Sequence, residues 1–293
     1  MRTIQSAKNS FYASSDEENR KKIIDNLYRI QTVKRYEDRK DYIQKTITEL
    51  ELEMIQEKTK NITIKDSFVI NPISIYSLPF KIDFERLYKY IDSYITYTDE
   101  YRKDKNICIV LDKIMTQWWF TKCINGKEVG NGNESIDIVK DKKGFDVFSL
   151  TIQNNCILSG EKSLTQDFKN AGKKLDVLFE QKEYKQAIDL YIQKLREKLK
   201  NAMKKYELEQ IYYIAFISTK NEVYLACFVV DVTKITNDIL SKGSHTDTSV
   251  YIENFIDNKI AETKLYKSKK RIELRFLAPN IETFSTKLYP RSF

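Results

Sequence analysis

Residues 134 to 155 read Glu134-Ser-Ile-Asp137-Ile-Val-Lys-Asp-Lys-Lys-Gly144-Phe-Asp146-Val-Phe-Ser-Leu-Thr151-Ile-Gln153-Asn-Asn155. Six of the seven glycines in the chain lie between residues 126 and 172, so they surround this stretch. Two short apolar segments flank a polar run that contains Gly144, which predicts two strands joined by a turn.

The second predicted strand carries polar side chains on one of its faces. Val147, Ser149, Thr151 and Gln153 share that face, because successive side chains of a strand point to opposite sides. Thr151 and Gln153 are therefore expected to face Asp137 across the hairpin.

Asp137 is the first candidate ligand for a hard cation, which prefers oxygen ligands. A second acid is expected from Glu134, Asp146 or Glu161, which lie close by in sequence. We expect Asp146 to escape burial because it lies at the end of its strand. The alternative is that Asp137, Asp146 and Glu161 are turn and cap residues, and the sequence leaves it open.

Several reaction classes are excluded by the residues that the chain lacks. It has one histidine, His245, in a predicted loop, which cannot supply a histidine-rich metal cluster. It has no GxxxxGK[ST] phosphate loop and no GxGxxG turn after a strand. Its four cysteines, at positions 108, 123, 156 and 227, are widely spaced, which indicates free thiols in a reducing compartment. A Ser-His-Asp or Cys-His arrangement stays open, although no residue is marked as its nucleophile or base. Carboxylate chemistry with a divalent ion survives this elimination best.

The charge balance favours a polyanionic partner. The net charge is +8, with 50 Lys and Arg residues against 42 Asp and Glu residues. The segment from 264 to 271 holds five positive charges and no acid, namely Lys264, Lys267, Lys269, Lys270 and Arg271. We expect these five residues to bind DNA, with RNA not excluded. A solvated basic face is the alternative interpretation.

The patterning predicts an α/β (α+β) protein, with a mixed central sheet flanked by helices and an N-terminal helical arm. Residues 15–58 are predicted to be helical, and the expected domains are the arm at 1–60 and a mixed domain at 61–293. Asp83 is expected to begin a helix, 106–111 to form a strand, and 115–123 to be of uncertain type. After the hairpin come a helical region from Ser163 with a break near Gly172, a long amphipathic helix from Tyr184, and strands at 211–217 and 222–232. Residues 271–276 alternate as a half-exposed strand.

Between residues 83 and 231, this order of elements resembles the core of the PD-(D/E)xK nuclease superfamily, to which many restriction endonucleases belong. The resemblance places Asp137 at the first acid of the family and Thr151 and Gln153 at its acid and lysine positions. Gln166 falls where some branches have a helical glutamine. Lys162 or Lys169 is then expected to replace the missing lysine. The resemblance implies Mg²⁺ held by Asp137 with Glu134 or another acid, and sequence-specific cleavage of DNA by a type II restriction enzyme that acts as a homodimer.

Two other functions stay open because Thr151 and Gln153 are not the acid and lysine of the family. One is a nucleic-acid-binding protein that keeps the nuclease scaffold without its catalytic site. The other is an interaction protein that assembles through its helical arm. The N-terminus lacks an apolar secretory signal and the longest apolar runs, such as 211–217, are too short to span a membrane, so we expect a cytoplasmic location.

Overall fold

A computed structural model describes residues 2–14, 16–31, 39–47, 49–50, 68–129, 135–152, 160–162, 169–236, 242–267 and 271–290. Contacts divide the chain into two compact units. One comprises Met1–Thr63 with Arg291–Phe293, and the other comprises Ile64–Pro290.

In its described part, the N-terminal unit contains three helices: α1 (Arg2–Ala13), α2 (Glu17–Gln31) and α3 (residues 40–47). The sequence predicts helix from residue 15 onward, where α2 and α3 lie, but it does not predict α1. Asp16 precedes α2, and its Oδ1 accepts a hydrogen bond from the Glu18 N–H at 3.1 Å, which satisfies a free donor of the first turn. The unit has a small core of its own, formed by Ile4, Phe11, Ile24, Leu27, Ile43, Ile47 and Leu50.

The larger unit is built on a mixed sheet, as the sequence predicts. Within the described residues this sheet has seven strands: β1 (Ile70–Ile73), β2 (Lys127–Glu128), β3 (Ile138–Lys140), β4 (Lys143–Thr151), β6 (Gln210–Ser218), β7 (Val223–Val230) and β12 (Ser285–Tyr289). The order is β1-β7-β6-β4-β3-β2. β4 and β6 are parallel, and the other pairs are antiparallel. β12 and β1 lie end to end along the outer edge of β7.

Helices cover both faces of this sheet. On one face lie α4 (Phe84–Lys105) and α5 (Lys113–Ile124), and on the other lie α6 (Lys169–Glu180) and α7 (Tyr184–Lys205). Alternate residues of β4 therefore enter different cores, with Val147 packed on the α4–α5 side and Phe148 on the α7 side. β6 is apolar almost throughout because both of its faces are buried.

A second, antiparallel sheet packs into the core on the α7 side. Its described strands are β5 (Gly160–Lys162), β8 (Lys242–Thr246), β9 (Ser249–Ile252), β10 (Ala261–Tyr266) and β11 (Arg271–Phe276), in the order β5-β11-β10-β9-β8. Ile272, Leu274 and Phe276 of β11 face the core, as the alternation predicts. The expectation of a half-exposed strand is wrong at Glu273, which is 3% exposed. A short helix, α8 (Ile281–Phe284), precedes β12. His245 lies in β8 and not in a loop.

Three segments differ from the sequence-based expectation. Residues 106–111 form no strand, and Ile109 donates a single backbone hydrogen bond, to the Thr219 carbonyl at 3.0 Å. The segment 115–123, whose type the sequence leaves open, lies within α5. α6 continues through Gly172, and the break between helices falls at 181–183. The helix expected after Asp83 is confirmed, and the Asp83 side chain accepts a hydrogen bond from the Arg86 N–H.

Among the described residues, no helix is both long enough and apolar enough to cross a bilayer. Cys108, Cys123 and Cys227 are free thiols, as expected, and Cys156 lies outside the described residues.

Candidate functional site

The β3–β4 hairpin is the element from which the candidate site is built. Its turn consists of Asp141 and Lys142, both with positive φ (46° and 60°), which is the backbone of a two-residue type I′ hairpin turn. Gly144 is not in the turn but in β4, opposite Val139. A Cβ at Gly144 would lie 2.6 Å from Leu208 Cδ1, so a larger residue there would have to displace the end of the Leu208 side chain.

The turn fixes which side chains meet across the hairpin. The last regular pair of the hairpin joins Ile138 to Phe145. The Asp137 N–H also donates to the Phe145 carbonyl, at 2.7 Å, so Asp137 lies at a bulge-like irregularity where the ladder ends, beside the start of the 146–147 segment of β4. The carboxylate Oδ2 of Asp137 accepts the Val147 N–H at 2.8 Å, so the side chain takes the place of a strand partner at the edge of β4.

The Asp146 carboxylate lies close enough to Asp137 for its negative charge to raise the pKa of the Asp137 carboxyl. Asp146 is 5% exposed, in the fourth position of a nine-residue strand, so the expectation that it escapes burial at a strand end is wrong. Burial, and then the negative charge of Asp146, raise the pKa of Asp137 to about 7. Burial and the neighbouring negative charge both disfavour the ionised form of Asp137, which therefore keeps its proton to a higher pH than an ordinary aspartate.

Helix α5 brings a positive charge to this pair. Asp112 caps the helix by accepting the Met115 N–H at 3.0 Å, and Lys113 is the first helical residue. The Lys113 ammonium is close enough to the Asp137 carboxyl to lower its pKa, against the effects of burial and Asp146. The position of α5 is fixed by a 2.6 Å hydrogen bond between Thr116 Oγ1 and Ser149 Oγ of β4.

Thr151 is not brought to Asp137. Its hydroxyl lies 3.2 Å from Ser218 Oγ of β6, and Ser218 in turn donates to the Leu150 carbonyl at 3.0 Å. Thr151 is four residues beyond Val147, which corresponds to ~13 Å along a strand. It would face Asp137 only if the turn were centred on Gly144.

The other expected site residues lie elsewhere or outside the described residues. Glu161 is in β5 of the second sheet, opposite Glu273 of β11, and only its backbone is described, so it is neither a turn nor a hairpin residue. Glu134, Gln153 and Gln166 fall outside the described residues. The side chains of Lys162 and Lys169 are likewise not described.

The expected DNA-binding residues are associated with the second sheet. Lys264 lies in β10, where its Nζ is 4.7 Å from the centroid of the Tyr251 ring and 5.1 Å from that of Tyr266. Lys267 follows β10 and lies 3.3 Å from Glu180 of α6. Arg271 begins β11 and only its backbone is described, while Lys269 and Lys270 lie outside the described residues.

Lys113 is the site residue that sequence reasoning misses. The signal for it is the Asp112–Lys113 pair, an N-cap residue followed by the first residue of a helix, but residues 115–123 do not show a helical period. Within the described residues, no group of three His, Cys, Asp or Glu side chains is placed to hold a metal ion. The described site therefore offers two carboxylates and one ammonium group.

No protein-family model matches this chain, and comparisons with curated proteins and with solved structures find no match.

Proposed function

We propose that this protein is a Mg²⁺-dependent, sequence-specific DNA endonuclease of the type II restriction kind, with its active site at Asp137, Asp146 and Lys113. The observation that carries the proposal is the proximity of two carboxyl groups, one nearly buried, to each other and to a lysine. The neighbouring carboxylate raises the pKa of Asp137, and carboxyl groups with shifted pKa values are common at catalytic sites.

The donor set fits a magnesium ion that is completed by its substrate. Mg²⁺ is commonly bound by one or two carboxylates, with water and substrate phosphate filling the other positions. Asp137 and Asp146 would supply the two carboxylates. Binding of a divalent cation would displace the proton that Asp137 keeps, and the cost of ionising both groups would fall.

The bound ion would lower the pKa of a water molecule and stabilise the charge that develops on the phosphate. Lys113 is well placed for a complementary role. Its ammonium group approaches Asp137 from a different element, α5, and would stabilise a phosphate oxygen next to the carboxylates. In this proposal Lys113 takes the place of the lysine that the resemblance puts at Gln153.

The arrangement of the elements also supports the proposal. From α5 onward the order is α5, β2, β3, β4, β5, α6, α7 and β6, with β4 parallel to β6 across the helical crossover. The resemblance rests on the order helix, strand, hairpin, helices, strand, strand between residues 83 and 231. The structure has no strand at 106–111, and the hairpin, the helices and the later strands support the proposal. The net charge of +8 favours DNA as the partner through its phosphates. The homodimer implied by the resemblance would present one such site to each strand.

The test is cleavage of plasmid and phage DNA with Mg²⁺ or Mn²⁺, against a control with EDTA. We expect discrete fragments with the wild type, and a loss of rate on the order of 100-fold or more in Asp137→Asn and in Asp146→Asn. Lys113→Ala should lose about 100-fold without losing metal binding. Asp141→Asn is the matched control, because it removes a carboxylate from the exposed turn of the same hairpin, and it should cleave like the wild type.

Each alternative has its own result. Cleavage that survives Asp137→Asn would keep the activity and reject this site. Salt-sensitive DNA binding without metal-dependent cleavage would favour the non-catalytic nucleic-acid-binding protein. Assembly without affinity for DNA or RNA would favour the interaction protein.

A further inference from the structure

Exposed large apolar side chains are concentrated in one part of the larger unit. Of the ten such side chains in the described part of the chain, seven lie between Tyr97 and Trp118. We call this surface the 97–118 patch. α4 contributes Tyr97 and Tyr101, which are 89% and 62% exposed. The connection to α5 contributes Val110, whereas Ile107 lines a pocket with Arg102, Lys103 and Lys220 on the other side of α4 and is not counted in the patch.

Helix α5 completes the patch with Ile114, Met115 and Trp118, of which Ile114 is 78% exposed. Helices α4 and α5 run antiparallel: Arg86 bonds the Lys122 carbonyl, and the Tyr94 hydroxyl bonds the Val110 carbonyl at 2.9 Å. The Tyr90 ring lies 5.0 Å from that of Trp118. The apolar side chains of the two helices thus belong to one surface.

The tyrosines of α4 explain why the patch projects beyond α5. Tyr90, Tyr94, Tyr97 and Tyr101 recur at spacings of three and four, so they form one stripe along the helix. Tyr90 and Tyr94 pack against Trp119 of α5. Tyr97 and Tyr101 continue the stripe past the point where α5 begins, and they remain open to solvent.

The area of the patch is too large for an ordinary monomer surface. Fully accessible large side chains present about 150–250 Å² each, so at these exposures the patch presents on the order of 800 Å². The largest apolar patch on a typical monomer is ~300–600 Å². A standard protein–protein interface buries ~800 Å² on each partner.

The charge of this region favours a protein partner over a polyanion. Residues 81–124 contain eight Lys and Arg residues and seven Asp and Glu residues, a net charge of +1, whereas the whole chain carries +8. Tyrosine, tryptophan and methionine are enriched at protein interfaces, and charged residues are depleted from interface centres. A near-neutral aromatic surface is therefore suited to a protein partner.

The remaining exposed apolar side chains bear on which protein could bind the patch. In the described residues they are Tyr12, Tyr42, Ile107 and Val177, and they are single positions on separate elements. The N-terminal unit buries its apolar residues in its own core. Among the described residues, the other exposed apolar side chains form no surface of comparable area. A partner surface supplied by this chain would therefore be the same patch on a second copy.

We propose that the 97–118 patch is a two-fold symmetric interface through which two copies of this chain form a dimer. In a two-fold symmetric interface, the same surface of each copy contacts its counterpart on the other copy. The near-neutral patch could therefore pair with itself, without like-charge repulsion and without a second binding surface. Burying the patch on both copies would give ~1,600 Å² in total, the size of a stable specific interface. The dimer does not depend on the nuclease activity proposed above.

The test is the mass of the full-length protein in solution, measured by light scattering after size exclusion and by sedimentation equilibrium over a range of concentrations. We expect the wild type at twice the chain mass of 34.7 kDa. The double variant Tyr97→Glu, Ile114→Glu should sediment as a single chain, because two carboxylates per copy would be buried at the interface. Both positions are exposed in one copy, so the variant should fold, which circular dichroism verifies.

The matched control is Val177→Glu, which adds a carboxylate at an apolar position of α6 that is 46% exposed and lies outside the patch. It should keep twice the chain mass. A single-chain mass for the wild type at all concentrations overturns the proposal, as does a double variant that remains a dimer. If a single-chain wild type also shows quenching of Trp118 fluorescence by an oligonucleotide, the patch binds nucleic acid instead.

Discussion

The side chain of Asp137 gives the hairpin a measurable dependence on pH. Its pKa is raised from 3.8 to about 7, first by burial and then by Asp146. Between these two pH values the folded protein keeps a proton that the unfolded chain releases. The free energy of unfolding therefore falls as pH rises from about 4 to about 7, and the loss is complete above the folded pKa.

Asp137→Asn should remove this dependence. An asparagine can accept the Val147 N–H as Asp137 does, and it is neutral beside Asp146 at every pH. At about pH 8 in EDTA we expect the free energy of unfolding of the variant to exceed that of the wild type by about 2–4 kcal/mol, and the two to match near about pH 4. Urea denaturation at both pH values measures this. Equal free energies of unfolding for the variant and the wild type at about pH 8 would show that the pKa of Asp137 is not raised. Asp141→Asn is the control for the loss of a carboxylate from the same hairpin.

The same residues show how far a site can be predicted from sequence. Asp137 and its hairpin follow from the apolar pattern, because both strands must bury one face. Which residue faces Asp137 depends on the turn, and one residue of shift changes every partner. Gly144 suggests a turn centre that would place Thr151 there, but Asp141 and Lys142 adopt positive φ without a glycine, so Asp146 lies beside Asp137 instead.

Helix α5 determines where Lys113 lies, and its stability depends on one cap. Asp112 accepts the Met115 N–H at 3.0 Å. Asp112→Ala should lower the free energy of unfolding by about 0.5–2 kcal/mol, because a first-turn N–H loses its acceptor. Asp112→Asn is the control, because asparagine caps a helix about as well as aspartate does. It should lower the free energy of unfolding by only a few tenths of a kcal/mol. Chemical denaturation distinguishes them, and equal losses in both variants would assign the effect to charge and not to the cap.

The composition of α5 also explains why sequence periodicity does not identify it. Trp119 and Phe120 are buried against the sheet, while Ile114 and Trp118 are apolar on the exposed side. An amphipathic period requires one polar face, and α5 lacks it. The segment 106–111 misleads in the opposite way. It is apolar and β-branched like a strand, but its backbone bonds to the end of α4, to Thr219 and to the Tyr94 hydroxyl, and it forms no ladder. By contrast, α7 and β6 have the patterns expected for one and two buried faces, and both are predicted from sequence.

At the scale of the molecule, the two units have separate cores. The core of the N-terminal unit runs from Ile4 to Leu50 in sequence, and the two cores of the larger unit lie between Val69 and Leu288. The three sets have no residue in common. The burial that stabilises the mixed sheet therefore comes from residues of the larger unit.

A fragment of residues 64–290 should thus fold alone. We expect it to unfold cooperatively, within a few degrees of the main transition of the full chain, because its buried apolar surface is retained. The N-terminal unit, with about 60 residues, buries a smaller fraction of its surface and should melt first in the full chain. Circular dichroism during heating of both proteins measures this, and the earlier transition should be missing from the fragment. A single transition in the full chain together with an unfolded fragment would mean that the two units stabilise each other and that the separate cores do not determine the folding units.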